Sequence, residues 1–366
     1  MRIDLNEAKE GMIILADVYD EYGKILLSSG VRLSNKLINR LKKEKVIEID
    51  VREQDAPKKR FEYFEEEEEI ENSKVELKKF GRPEVKEKVT ENCNKLEDII
   101  KKLFLNNNVD VAKRKTIIAS VVKFIKQNFN KDIIYILEYI TKDRIIEGQL
   151  YYHSLNVAIL SYTIGKWLKY TDKQLDTLIV AALFHDIGKI KIPEEILNKE
   201  ERLLDNEYEI IMSHAKETEN IMKEFGCFSK ETIEAASFHH ERSDGSGYPN
   251  KLNGNEINEY SKIIAVADIF DALTSKKAYR EKYNSFKALE IIDNYSYSKL
   301  DNKITKLFIT KFFEIYLGQG VELNDSTKAK IIRLNSNEIT RPLLATTDGQ
   351  IIDLALRKEL EIQKFL

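Results

Sequence analysis

Apolar positions change their spacing along the chain, and each change predicts a different kind of element. Over residues 1–53 they come in short alternating runs. Ile13 to Val18 and Lys24 to Leu27 have strand periodicity and flank Asp20-Glu21-Tyr22-Gly23, which predicts a hairpin. Ser34 is placed to cap a helix running to about Lys45, and Val46 to Val51 resumes a strand pattern. This small α/β unit is too short for a typical receiver or PAS-type sensor. Packing on the rest of the chain is its favoured role.

Residues 54–92 read as a charged linker or solvated helix. Five glutamates, Glu65 to Glu69, sit between basic patches at 58–60 and 78–79, with Gly81 and Pro83 as punctuation. From 93 to 317 apolar residues recur every three or four positions, the spacing of a helical core. The segments Ile117 to Phe129, Leu150 to Leu168, Leu175 to Lys189, Asp205 to Phe225 and Ser285 to Tyr295 are each expected to be helical. The break at 241–260 carries the turn-rich DGSGYPNKLNG. Residues 318–366 return to short apolar runs between polar turns, a β-rich tail. The expected fold is mainly α, a helical bundle with a small N-terminal α/β unit and a short β-rich C-terminal tail.

Composition then removes several classes of function. Fifty-nine basic residues against 62 acidic ones leave a net charge of -3, so no whole-chain field would draw in a nucleic-acid polymer. Cys93 and Cys227 stand far apart, which excludes a disulfide framework or zinc ribbon and fits a reduced, cytoplasmic setting. The N-terminal MRIDLNEAKEG has no apolar signal core, and no uncharged apolar run is long enough to span a bilayer. A cytoplasmic protein without a membrane span is expected.

Histidine carries the strongest signal. All five, His153, His185, His214, His239 and His240, lie within the helical region, and the first four fall on or near different predicted helices. Any one of them alone reads as a core or surface residue. Five confined to one domain point to a shared site, because helices of a bundle project side chains into a common interior. His185 and Asp186 follow the apolar run Leu178 to Phe184, which places a carboxylate in apolar surroundings where a cation would stabilise it. Asp268 sits likewise inside IIAVADIFDAL, with Asp271 on the same helix face. Imidazoles and carboxylates without cysteine suit iron, manganese, nickel or zinc. Seven ligands exceed one tetrahedral ion, so two ions sharing a carboxylate are expected. Lys276, Lys277, Arg280 and Lys282 follow the Asp268 helix and offer charge for a phosphate.

HDIGK at 185–189, HHER at 239–242, DGSGYP at 244–249 and VADIFDALTS at 266–275 together resemble the HD-GYP family of cyclic dinucleotide phosphodiesterases, over roughly residues 140–317. The resemblance implies an HD-domain helical bundle at 93–317 that hydrolyses cyclic di-GMP to linear pGpG, and in some members to GMP, through a metal-bridging hydroxide. It implies His153, His185, Asp186, His214, His239, His240 and Asp268 as metal ligands, with Asp186 bridging and Lys189 on the scissile phosphate. Gly247, Tyr248 and Pro249 would shape the guanine side. Lys277 and Arg280 would bind phosphate, although an arginine is more usual at the first of these positions, and lysine lacks its bidentate fork.

Two divalent ions, iron or manganese, are expected. Family members with three metals carry a glutamate four residues before the first histidine, where this chain has Gln149. Glu147 points about 160° away on an ideal helix, so no third ion is expected. Other readings are hydrolysis of cyclic GMP-AMP or another nucleotide, and a catalytically silent binding or scaffolding protein. A homodimer is among the arrangements that the sequence leaves open.

Overall fold

A computed structural model of the chain describes residues 2–15, 18–19, 25–27, 31–44, 46–52, 83–105, 110–131, 133–141, 149–199, 201, 203–276, 282–335 and 338–366. It divides into two compact units, Met1–Gly81 with Leu289–Leu366, and Arg82–Ala288. The acidic run at 65–69 falls outside the described residues.

The first unit begins with β1 (Arg2–Asp4), β2 (Ile13–Ile14), β3 (Val18–Tyr19), β4 (Ile25–Leu27), α1 (Asn35–Lys43) and β5 (Glu48–Arg52). Ser34 caps α1 as expected, its hydroxyl accepting from the Leu37 amide at 3.3 Å. The expected hairpin is divided between two sheets. Val18 and Tyr19 pair with β4, but Ile13 and Ile14 pair with Arg52 and Val51, giving an antiparallel sheet ordered β1-β5-β2. The reason is β5, which buries Ile49 and Val51 and takes a strand on each edge. Leu27, Leu33, Leu41 and Ile14 close the core.

The second unit is helical: α2 (Pro83–Leu105), α3 (Val111–Asn128), α4 (Ile133–Ile140), α5 (Gln149–Trp167), α6 (Asp172–Phe184), a 3-10 turn (Ile187–Lys191), α7 (Glu194–Leu197), α8 (Asp205–Met212), α9 (His214–Phe225), α10 (Lys230–Ser237) and α11 (Glu259–Thr274). The next helix, α12 (Ser285–Tyr295), crosses the boundary between the units. At the centre of the helical unit lies α5, buried on every side from Tyr152 to Gly165, its polar His153, Ser154, Asn156, Ser161 and Thr163 included. It packs on α2, α6 and α11. Gly165 allows the closest approach, since a Cβ built there would stand 2.9 Å from side-chain carbons of both Leu175 and Leu178. A capping box starts α6, with Thr171 and Gln174 each accepting from the other's amide.

Two expected helices are shorter than their apolar periodicity suggests. The one foreseen over Leu175 to Lys189 stops at Phe184, and the one over Asp205 to Phe225 breaks at Ser213. Side chains at these breaks take up carbonyls of the preceding turn. Ser213 Oγ donates to Ile210 O at 2.6 Å, and the rings of His185 and His214 do the same to Ala182 and Ile211.

The chain closes in the first unit with α13 (Asn302–Tyr316) and an antiparallel sheet, β6 (Gly320–Leu323), β7 (Lys328–Arg333), β8 (Leu343–Thr346), β9 (Ile351–Asp353) and β10 (Ile362–Phe365), ordered β10-β6-β7-β8-β9. Ile304, Phe308, Phe312 and Phe313 bury one face of α13. Buried Arg341 donates to the carbonyls of Leu354 and Leu360 and pairs with Glu290. The protein is mainly helical with small sheets in its terminal segments, as the sequence predicts. No helix among the described residues is long and apolar enough to cross a membrane.

Candidate metal centre

All seven residues singled out as ligands meet inside the helical unit. His153 comes from α5, while His185 and Asp186 follow the end of α6. His214 starts α9, His239 and His240 follow α10, and Asp268 lies on α11. Three of the rings are aimed by one local device. His185, His214 and His239 each direct Nδ1 at the carbonyl three residues earlier, that of Ala182, Ile211 and Ala236, at 2.7, 2.6 and 2.6 Å. A carbonyl only accepts, so Nδ1 carries the proton and Nε2 keeps its lone pair. His153 is aimed differently, with Nδ1 2.6 Å from Asp271 Oδ2.

Asp186 stands between the rings. Its Oδ2 lies 3.4 Å from Nε2 of both His153 and His185, and its Oδ1 lies 3.3 Å from His214 Nε2 and 3.8 Å from His239 Nε2. Asp268 Oδ1 lies 3.1 Å from His153 Nε2. Two groups result, His153-His185-Asp268 and Asp186-His214-His239-His240, with donor atoms within 4.8 Å of one another in each. Asp186 Oδ1, His214 Nε2 and His239 Nε2 are buried without a hydrogen-bond partner among the described residues. Three converging lone-pair atoms would repel one another and forfeit their hydration. A divalent cation among them removes both penalties, so this donor set fits one.

The electrostatics agree with that fit. Burial holds His239 and His240 well below the ordinary imidazole range and lowers His214, so these rings stay neutral, as ligands must. Burial would raise Asp186, but Lys189 and His185 keep it well below the usual carboxylate range. Asp268 is likewise held low against burial, chiefly by His153. For His153 burial opposes protonation, yet Asp186, Asp268 and Asp271 together raise it well above the imidazole range. That ring marks where negative charge is densest.

Lys189, on the 3-10 turn, places Nζ 2.5 Å from Asp186 Oδ2 and remains partly exposed. Gly188 lets this turn press on α9, because a Cβ built there would fall 2.0 Å from His214 O and 2.7 Å from Thr218 N. Thr218 ties the two together, accepting from the Gly188 amide and donating to His185 O, both at 3.0 Å.

The 244–249 loop folds over the second group. Tyr248 stacks on His240 with centroids 4.6 Å apart, and burial pushes its phenol far above the ordinary range. The Tyr248–Pro249 peptide is cis. Gly247 packs against backbone, where a Cβ would meet Arg242 N at 2.4 Å. Lys277 and Arg280 lie outside the described residues, as does Glu147, and the side chain of Gln149 is also not described.

The sequence pattern assigned no supporting role to three residues. Asp271 bonds His153 and also accepts from Asn156 Nδ2 at 2.7 Å. Its spacing from Asp268 was visible, but nothing in the sequence told a ligand from the group that orients one. Asn156 stands three residues after His153, the same-face spacing that was the available signal. Buried Glu241 accepts from the amides of Asn250 and Leu252 at 2.6 and 2.9 Å and so pins the loop.

A sequence profile described as HD domain matches residues 116–304. The chain is 38% identical over 149 residues to a 3′3′-cGAMP-specific phosphodiesterase of Vibrio cholerae, covering 41% of this chain and 32% of that protein. It is 28% identical over 193 residues to a cyclic di-GMP phosphodiesterase of Pseudomonas aeruginosa, covering 52% and 46%. The chain thus spans less than half the length of either relative. Among solved structures, the protein Bd1817 from Bdellovibrio bacteriovorus, described as an HDG"Y"P protein, aligns with a TM-score of 0.52 at 15% identity. The alignment covers 86% of this chain and 99% of that one, a likeness of fold.

Proposed function

The chain belongs to the HD domain family, and from that premise we propose that it is a metal-dependent phosphodiesterase hydrolysing cyclic di-GMP to linear pGpG. The observation that carries this reading is Asp186, one carboxylate whose two oxygens face two different pairs of imidazoles. His153, His185 and Asp268 would hold one divalent ion, and His214, His239 and His240 the other, with Asp186 common to both. Such ions supply positive charge to a phosphoryl group and lower the pKa of water.

The remaining work falls to this chain's own side chains. Lys189, tethered to Asp186 but partly exposed, is placed to neutralise a phosphoryl oxygen as charge builds there. Asp271 and the three backbone carbonyls keep His153, His185, His214 and His239 in the tautomer that presents Nε2. Tyr248, fixed through Glu241 and the packing at Gly247, forms the wall against which a guanine would lie. Lys277 and Arg280 follow α11 in sequence and would add charge for the second phosphate.

The test is anaerobic purification with iron or manganese, metal analysis, and product identification from cyclic di-GMP and 3′3′-cyclic GMP-AMP in parallel. Two ions per chain and conversion of cyclic di-GMP are expected. Consumption of cyclic GMP-AMP alone overturns the substrate, and a metal-loaded but inert protein overturns the enzyme reading. Asp186→Ala should lose both metal and hydrolysis while staying helical.

A further inference from the structure

Arg114, on the first turn of α3, is only 3% exposed. Its guanidinium carbon lies 3.7 Å from the centroid of Phe225, so one face is occupied by a cation–π contact. Its edge is not. Nε and Nη2 have no hydrogen-bond partner among the described residues. These two N–H groups lie on the same side of the planar guanidinium, the fork that grips a carboxylate or phosphate through two oxygens. A buried cation with that fork unfilled is unfavourable until an acceptor arrives.

Among the described residues no carboxylate meets the Nε–Nη2 edge. Cys227 stands within electrostatic reach of Arg114 and Lys115, but burial outweighs both and pushes its thiol up, leaving it neutral near pH 7. The nearby carboxylate of Asp110 is engaged, accepting from the Lys113 amide as the cap of α3. The amide dipoles at the start of α3 add further positive potential. Flanking residues are at the surface: Val111 is 42% exposed, Cys227 is half-buried, and a Cβ built on Gly226 would stand 3.9 Å from Val111 Cγ2.

We propose that the Nε–Nη2 edge of Arg114 is a receptor for a small oxyanion, a phosphate or a carboxylate, admitted beside Cys227. The site is separate from the histidine centre but packed onto it. Phe225 ends the helix that His214 begins, and its ring meets that of Phe184, the residue before His185, edge-on at 6.3 Å. An anion on Arg114 would fasten the first turn of α3 to the far end of α9.

Cys227 is a local reporter, because Cys93 is fully buried. The experiment follows carbamidomethylation of Cys227 by neutral iodoacetamide, by mass spectrometry, in phosphate, acetate or chloride at constant ionic strength. In the wild-type protein the rate should fall about tenfold when phosphate or acetate reaches ten times its Kd, following simple site occupancy. Protection by phosphate alone assigns a phosphate site, and protection by acetate a carboxylate site. Arg114→Met, which keeps a long apolar chain on Phe225, should abolish protection. Phosphate bound at the histidine centre would leave that variant's rate unchanged. Equal rates in all three salts overturn the proposal, as does protection that persists in Arg114→Met. Should that variant fail to fold, Arg114→Lys, which keeps the charge but lacks the fork, takes its place with the same expected loss of protection.

Discussion

Replacing Asp271 by asparagine tests whether the orientation of His153 matters to the centre. Asp271 accepts two short hydrogen bonds, 2.6 Å from His153 Nδ1 and 2.7 Å from Asn156 Nδ2. Asparagine keeps the shape but offers one acceptor oxygen to two donors. Whichever way its amide turns, its NH2 group confronts one of them. If it confronts Asn156, the charge-assisted bond to His153 becomes a neutral one. If it confronts His153, the ring must move its proton to Nε2 and withdraw its lone pair from the centre. A lost hydrogen bond to a charged group is worth about 1.5–3 kcal/mol. That corresponds to roughly 10–100-fold weaker metal binding, the range typical of groups that orient a metal-bound histidine. Competition against a chromogenic chelator with manganese, under anaerobic conditions, measures the affinity. Circular dichroism would verify the helical fold. A folded Asp271→Asn variant with affinity within twofold of wild type refutes the reasoning.

Three further outcomes follow from the same geometry. Gly188→Ala forces a methyl group onto the backbone of His214 and Thr218, so denaturant titration should register a loss of about 1–3 kcal/mol, and an unchanged midpoint would contradict the packing. Acidification from pH 7 to 5 should destabilise the metal-free protein. Burial holds His214, His239 and His240 below the 6.5 of an unfolded histidine, so the unfolded chain takes up protons that the folded one refuses. Each refused proton contributes up to about 1.4 kcal/mol per pH unit. His153, raised instead, is protonated in the folded state across this window and favours folding most below pH 6.5, so it opposes the trend. Stability that rises from pH 7 to 5 would count against neutral buried imidazoles. Gln149→Glu should raise metal content from two towards three ions per chain, and unchanged content would count against the reading of that position.

Much of the centre was legible because its residue types are rare and clustered. Five histidines in one helical region had few other uses, and carboxylates inside apolar runs needed a cation. The structure draws these seven residues together. Periodicity failed at the helix ends near them. Leu175 to Lys189 keeps its apolar spacing through His185, yet α6 stops at Phe184 because a histidine ring competes for the Ala182 carbonyl. Ser213 breaks the next helix in a similar way. Such side-chain competition leaves no trace in a hydrophobic pattern. Asp271 was seen but not understood, since its partner lies 118 residues away. The hairpin at 13–27 was divided by the demand of β5 for a second neighbour, which is tertiary information.

The three rings hydrogen-bonded to carbonyls three residues back have a consequence for assembly. Each imidazole takes its bearing from its own last turn of helix, over a sequence separation of three. The direction of each donor is therefore settled as soon as that turn forms, before any partner helix arrives. Docking of α6, α8 and α10 has only to bring three pre-aimed arrows to one point. Long-range search is left to Asp268 and to the Asp271–His153 pair, which join α11 to α5. Three of the seven ligands are thus written in local grammar, and His153 and Asp268 wait for a single helix pairing.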